Sequence, residues 1–172
     1  MYADSLENLF FNHIIDRLVF EENVQIEYID MNHIPNNLYG KYDFCWSICA
    51  LEHLGTIENG LSFVKKALDT LTKGGMAVHT TEYNLSEHGD TISKGNFVLY
   101  QKRHIESLIK DLRLMGYKVE EPDFNVGNGV FDCFIDTPPY LGDGYESGGP
   151  HIKLDLNGYV ATSFGLIIHK PL

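Results

Sequence analysis

Apolar positions recur near the helical period at the start of the chain. Leu6, Leu9, Phe10, Ile14, Leu18 and Val19 fall on one face of residues 4–20. Asp4 and Glu7 have the spacing of a capping box, so a leading helix is predicted within residues 1–22. VQIEYID, residues 24–30, alternates and predicts a strand ending at Asp30. A loop punctuated by Pro35 and Gly40 follows. YDFCWSICA, residues 42–50, is almost continuously apolar, the pattern of a strand buried on both faces and so parallel to its neighbours.

Thr56 is placed to cap a helix over 57–72, with Leu61, Val64, Leu68 and Leu71 as its stripe and Gly74 just beyond its end. Met76–Glu82 predicts a further strand. Residues 83–100 are polar and turn-rich and predict a long loop. Gln101–Met115 predicts a helix on Ile105, Leu108, Ile109 and Leu112, closed by Gly116. Strands are expected at 117–124 and 132–136, and a second irregular loop at 137–150. HIKLDL and YVATSFGLIIHK flank Asn157-Gly158, a strong hairpin signal. The expected architecture is a single α/β domain whose sheet is mostly parallel with an antiparallel strand at its C-terminal end. Ligands in such sheets sit at the carboxyl ends of the strands, here Asp30–Met31, Ser47–His53 and Thr80–Asn84.

Composition narrows the partners. The 13 basic and 24 acidic residues give a net charge of −11, which suits neither a phosphate backbone nor an anionic membrane surface. No apolar run approaches the length of a membrane span, and the acidic start is unlike a secretory signal. Cys45, Cys49 and Cys133 are odd in number and lie in apolar runs, which predicts reduced thiols and a cytoplasmic protein. There is no CxxC pair, so no zinc or other metal ligand set is expected.

EYIDMNHIP, then DFCWSICALEHLG, LDTLTKGG and MAVHTTEYN occur in the order of the second part of a class I S-adenosylmethionine-dependent methyltransferase, and the chain from about residue 20 onward resembles that family. The resemblance extends to QKRHIESLIKDLRLMGY as its last helix and VATSFGLIIHK as its antiparallel strand. It implies an incomplete Rossmann-like methyltransferase sheet with S-adenosylmethionine as cofactor. Asp30 would contact the adenine, Met31 its face, and Ser47, Cys49 and Leu51 the cofactor floor. NFVLYQKRHIESL, DTPPY and TSFGLIIHK are most similar to bacterial methyltransferases of surface-glycan clusters, which implies a small acceptor such as a saccharide.

One part of the family pattern is missing. Its first strand ends in a glycine-rich turn that lies against the cofactor, whereas the first glycine here is Gly40. The chain is therefore expected to be a truncated form of the fold, whose cofactor binding lacks that turn. Its exposed apolar sheet edge would then favour a homodimer. A non-catalytic, self-associating α/β fragment that binds no cofactor is the alternative.

Methyl transfer needs alignment and, for a hydroxyl acceptor, a base. His53, past a strand end, is the first candidate, although a helix-start histidine bonded to backbone explains it as well. His79 and Glu82 flank the next strand end and lie three apart, so on opposite faces. Arg103 and His104 could meet a polar acceptor, and Tyr83, Tyr100 and Tyr140 with Pro138-Pro139 an aromatic wall for it. Cys49 with His53 as a nucleophile–base pair has no evident orienting acid. His79-Thr-Thr-Glu82 has a metal-ligand spacing only on a helix. GDGYESGGP lacks the lysine of a phosphate loop.

Overall fold

A computed structural model describes residues 5–140 and 151–172. The chain divides into two compact units, residues 1–30 and 31–172. In the first unit the helix expected over 4–20 is replaced by a turn of 3-10 helix, Glu7–Leu9, and α1, Arg17–Asn23. The reason is Asp16. Its carboxylate accepts the Leu18 and Val19 backbone N–H groups at 2.9 and 3.4 Å, which starts a new helix there. Arg17 pairs with Glu7 and Glu21, and its guanidinium lies 4.8 Å from the Phe10 ring centre. Asp4, the other half of the expected capping box, lies outside the described residues. Residues 24–30 are no strand despite their alternation. Alternation predicts which side chains share a face, but a strand exists only where a neighbour accepts its hydrogen bonds.

The second unit holds the sheet. Its elements are β1 (Tyr42–Ile48), α2 (Ile57–Ala67), β2 (Leu71–Asn84), α3 (Lys102–Leu114), β3 (Lys118–Val119), β4 (Lys153–Leu156) and β5 (Tyr159–His169). The strand order is β1-β2-β5-β3, and β4 pairs with β5. Only β1–β2 is parallel, and the other three pairs are antiparallel. The α/β class and the C-terminal antiparallel strand are as expected, while the antiparallel part is larger than the apolar runs implied.

Thr56 caps α2 as predicted, its hydroxyl accepting from Asn59 N–H at 3.1 Å. The helix closes earlier than expected, passing into a 3-10 turn at Leu68–Thr70. Gly74 therefore lies inside β2 and not beyond a helix end; its φ of +77° falls where the β1–β2 register shifts. α3 matches its prediction within a residue at each end, and Gly116 follows it at φ +92°. The strand expected at 117–124 shrinks to two residues, and 132–136 is no strand, keeping only an isolated bridge from Asp136 to Leu154. The hairpin is where Asn157-Gly158 put it, with both residues at positive φ. Of the loop predicted at 137–150, residues 141–150 lie outside the described residues.

α2 and α3 cover one sheet face. Ala77, His79 and Thr81 of β2 and Phe164, Leu166 and Ile168 of β5 are buried in it. The long loop 83–100 ends in the core, where Val98, Leu99 and Tyr100 are fully buried. The other face carries Phe44, Trp46 and Ile48 of β1, each about half exposed or more (49%, 64% and 61%). No helix among the described residues is long and apolar enough to cross a membrane.

Candidate functional site

The carboxyl ends of the parallel pair gather the titratable groups. Cys49 follows β1, and its φ of +43° turns the chain sharply out of the strand. The 3-10 turn Leu51–His53 follows, and Glu82 stands near the end of β2. One ligand atom each from Cys49, Glu52 and Glu82 lies within 4.8 Å of the others. Glu52 has no exposed surface, and its Oε2 accepts the Thr81 hydroxyl at 3.0 Å. Burial pushes the Glu52 carboxyl above its ordinary range, opposed by its own N–H and by Thr81. Burial also raises Glu82, and the neighbouring Glu52 adds to the shift. His53 and His151 act on Glu82 in the opposite direction. The Cys49 thiol is likewise pushed up, first by burial. It is thus a protonated thiol and no activated nucleophile, which removes the Cys49–His53 pair.

His53 is exposed. Its Nδ1 lies 2.8 Å from the Asn96 carbonyl, which can only accept, so Nδ1 carries the proton and Nε2 the lone pair of the neutral ring. His79 belongs to the core. It is 2% exposed, its Nδ1 meets the Ser47 hydroxyl at 2.8 Å, and its ring stands edge-on to Phe63 with centres 5.8 Å apart. Burial pushes its pKa down to about 4, so the ring is neutral. His79 and Glu82 therefore part to opposite faces of β2, as their spacing dictated, and no metal spacing joins them.

The resemblance-derived cofactor residues divide differently from expectation. Asp30 belongs to the first unit. Met31 packs on the core of the second unit. Ser47 is engaged with His79, and Leu51 is buried at 3% exposure. Cys49 stands half-buried just past the strand end.

Of the acceptor-side residues, Tyr83 lines a cavity. Tyr83, Phe124 and Phe164 form an aromatic cluster with ring centres 5.1–5.8 Å apart. They line a cavity of about 340 Å³ together with Asp123, Asn125, Ile152 and Ser163. Ser163 is the register partner of Glu82, which sets the cavity beside the acidic cluster along the β2–β5 ladder. Tyr140 is elsewhere engaged, its hydroxyl donating to the Asp155 carbonyl at 2.7 Å. Tyr100 is core. His104 accepts the Gln101 N–H at 3.0 Å and caps α3, which leaves its other nitrogen protonated when the ring is neutral. Burial and then Arg103 lower its pKa. Arg103 is an exposed helix-start residue.

One arrangement escaped the sequence reading. His151 Nδ1 lies 2.7 Å from Oδ2 of Asp136, which is 1% exposed. The two are fifteen residues apart with a long loop between them, so no short motif announces them. The pair fixes the tautomer and leaves Nε2 as the basic nitrogen.

No family model matches the sequence. No curated protein matches it. Among solved structures, the crystal structure of the [4+2]-cyclase SpnF superposes with TM-score 0.56 at 14% identity, over 90% of this chain and 58% of that one. The methyltransferase-assigned protein BH2331 of Bacillus halodurans C-125 gives 0.45 at 16% identity, over 91% of this chain and 77% of that one. An S-adenosylmethionine-dependent methyltransferase of Mesorhizobium loti gives 0.44 at 11% identity, over 84% of this chain and 68% of that one. The chain spans little more than half the length of SpnF and shares its α/β fold.

Proposed function

We propose that this chain carries the acceptor side of a methyltransferase, seating a small acceptor in the Tyr83–Phe124–Phe164 cavity and taking its proton on His151. The observation that carries this is the His151–Asp136 pair, 2.7 Å apart, next in sequence to the cavity-lining Ile152. A buried carboxylate that holds Nδ1–H keeps Nε2 free to accept a hydroxyl proton. The aromatic faces suit the apolar side of a ring, and Asp123, Asn125 and Ser163 suit its hydroxyls, so a saccharide is the favoured acceptor class. Methyl transfer itself is supported by the ordered sequence resemblance and by the sheet. S-adenosylmethionine is the implied donor. The thiols carry no disulfide, which supports a cytoplasmic setting.

The experiment is a panel of methyl glycosides and phenols, first for binding by thermal shift, then for S-adenosylhomocysteine released at millimolar S-adenosylmethionine. An acceptor at 100 times its dissociation constant stabilises by about 2.7 kcal/mol, or roughly 5–11 °C. Release that needs the acceptor and drops in His151→Gln supports the proposal. An acceptor that binds without any release would leave a binding module and remove the methyl-transfer reading.

A second reading rests on β1. It is a sheet edge with Phe44, Trp46 and Ile48 exposed along it, and no proline or charge interrupts Phe44–Ile48. A second copy is the occupant such an edge fits, because two identical strands pair antiparallel about a two-fold axis and close the assembly.

A further inference from the structure

We propose that Cys49, Glu52 and Glu82 form a three-ligand site for a divalent cation of the zinc type. The three come from the residue after β1, from the 3-10 turn beyond it and from β2, so the site exists only in the folded chain. Their ligand atoms already lie within 4.8 Å of one another. A tetrahedral zinc ion bonded at about 2.0–2.3 Å holds its ligands about 3.3–3.7 Å apart, so roughly an ångström of side-chain movement closes the site.

An independent observation points the same way. Glu52 is wholly buried, and its Oε1 has no hydrogen-bond partner. Its other oxygen is held by Thr81, which fixes the carboxylate in the cluster. A buried carboxylate oxygen left unpaired is costly, and among the described residues no lysine or arginine forms an ion pair with Glu52 or Glu82. A cation bound between the three groups would satisfy that oxygen and neutralise both carboxylates at once.

The donor set selects the metal. One thiolate with two carboxylates suits zinc or cobalt over magnesium or calcium, which take oxygen alone. Three protein ligands leave a fourth position for water or an acceptor oxygen. Binding displaces the Cys49 proton to solvent, so affinity rises with pH. The absence of a CxxC pair argued against zinc in the sequence, but that rule concerns closed structural sites, whereas this set is open. The site stands independently of methyl transfer.

The test is titration of the chelator-treated full chain with zinc by calorimetry and with cobalt by absorbance. One equivalent of zinc and a thiolate-to-cobalt charge-transfer band are expected. Cys49→Ser should abolish the band, while Cys133→Ser keeps it. Cys49→Ser and Glu82→Gln should each weaken zinc binding by more than about tenfold, with unchanged circular dichroism. Glu52→Gln should do the same and need not fold for the other two to decide. Zinc binding untouched by Cys49→Ser and Glu82→Gln, no binding at all, or magnesium bound as tightly as zinc would each overturn the proposal.

Discussion

The Tyr100 hydroxyl donates to the backbone carbonyl of Leu51 at 3.1 Å, tying the end of the long loop to the turn that carries Glu52 and His53. Gly60 is what makes this approach possible. A Cβ there would collide with the tyrosine hydroxyl and lie 2.7 Å from the Leu51 carbonyl oxygen. Gly60→Ala is therefore expected to destabilise the protein by about 2–3 kcal/mol, as overpacking of a closed core does. Tyr100→Phe should cost about 1 kcal/mol, the worth of the bond it removes. Urea unfolding measures both. A Gly60→Ala variant as stable as the parent would show that the turn yields easily.

His79 makes stability depend on pH. Burial holds its folded pKa at about 4 against an ordinary 6.5. The unfolded chain therefore binds the proton first. The stability is present above about pH 6.5 and is lost as pH falls toward 4, by about 3 kcal/mol in all. Glu52 and Glu82, raised by burial, act with the opposite sign: their folded carboxyls hold protons longer, so their deprotonation costs stability as pH rises. His79→Gln cancels only the histidine part. The difference in urea midpoint between parent and variant should shrink from pH 7 to pH 4.5. A constant difference would mean that the ring takes up its proton equally in the folded and unfolded chain, with no burial shift.

Lys170 ties the C-terminal segment to the end of α2. Its ammonium donates to the Leu68 and Leu71 carbonyls at 3.0 and 2.8 Å, satisfying acceptors left over where α2 and its 3-10 extension stop. Lys170→Met keeps the stem and removes the donors. A loss of about 1.5–3 kcal/mol is expected, read as a lower thermal midpoint with an unchanged circular dichroism spectrum.

The β1 edge predicts concentration-dependent mass. Light scattering across a dilution series should show a dimer that Trp46→Lys converts to monomer, since a charge on an exposed edge blocks pairing. A monomer at all concentrations for the parent would remove the second reading.

What the sequence settled was local. Thr56, Gln101, Gly116 and Asn157-Gly158 stand at the ends of α2, α3 and the β4–β5 hairpin, because caps and turns are decided by a residue's own backbone and hydrogen-bonding chemistry. The parity that separates His79 from Glu82 was legible for the same reason. Residues 24–30 were misread because a strand needs a partner, and residues 4–20 because the Asp16 carboxylate competes for backbone N–H groups within the apolar pattern. The sites lie at the other extreme. His151 meets Asp136, and Cys49 and Glu52 meet Glu82, across separations that only chain folding closes. Tertiary structure alone decided them, because proximity between distant residues comes from how the sheet is ordered and which face the helices cover.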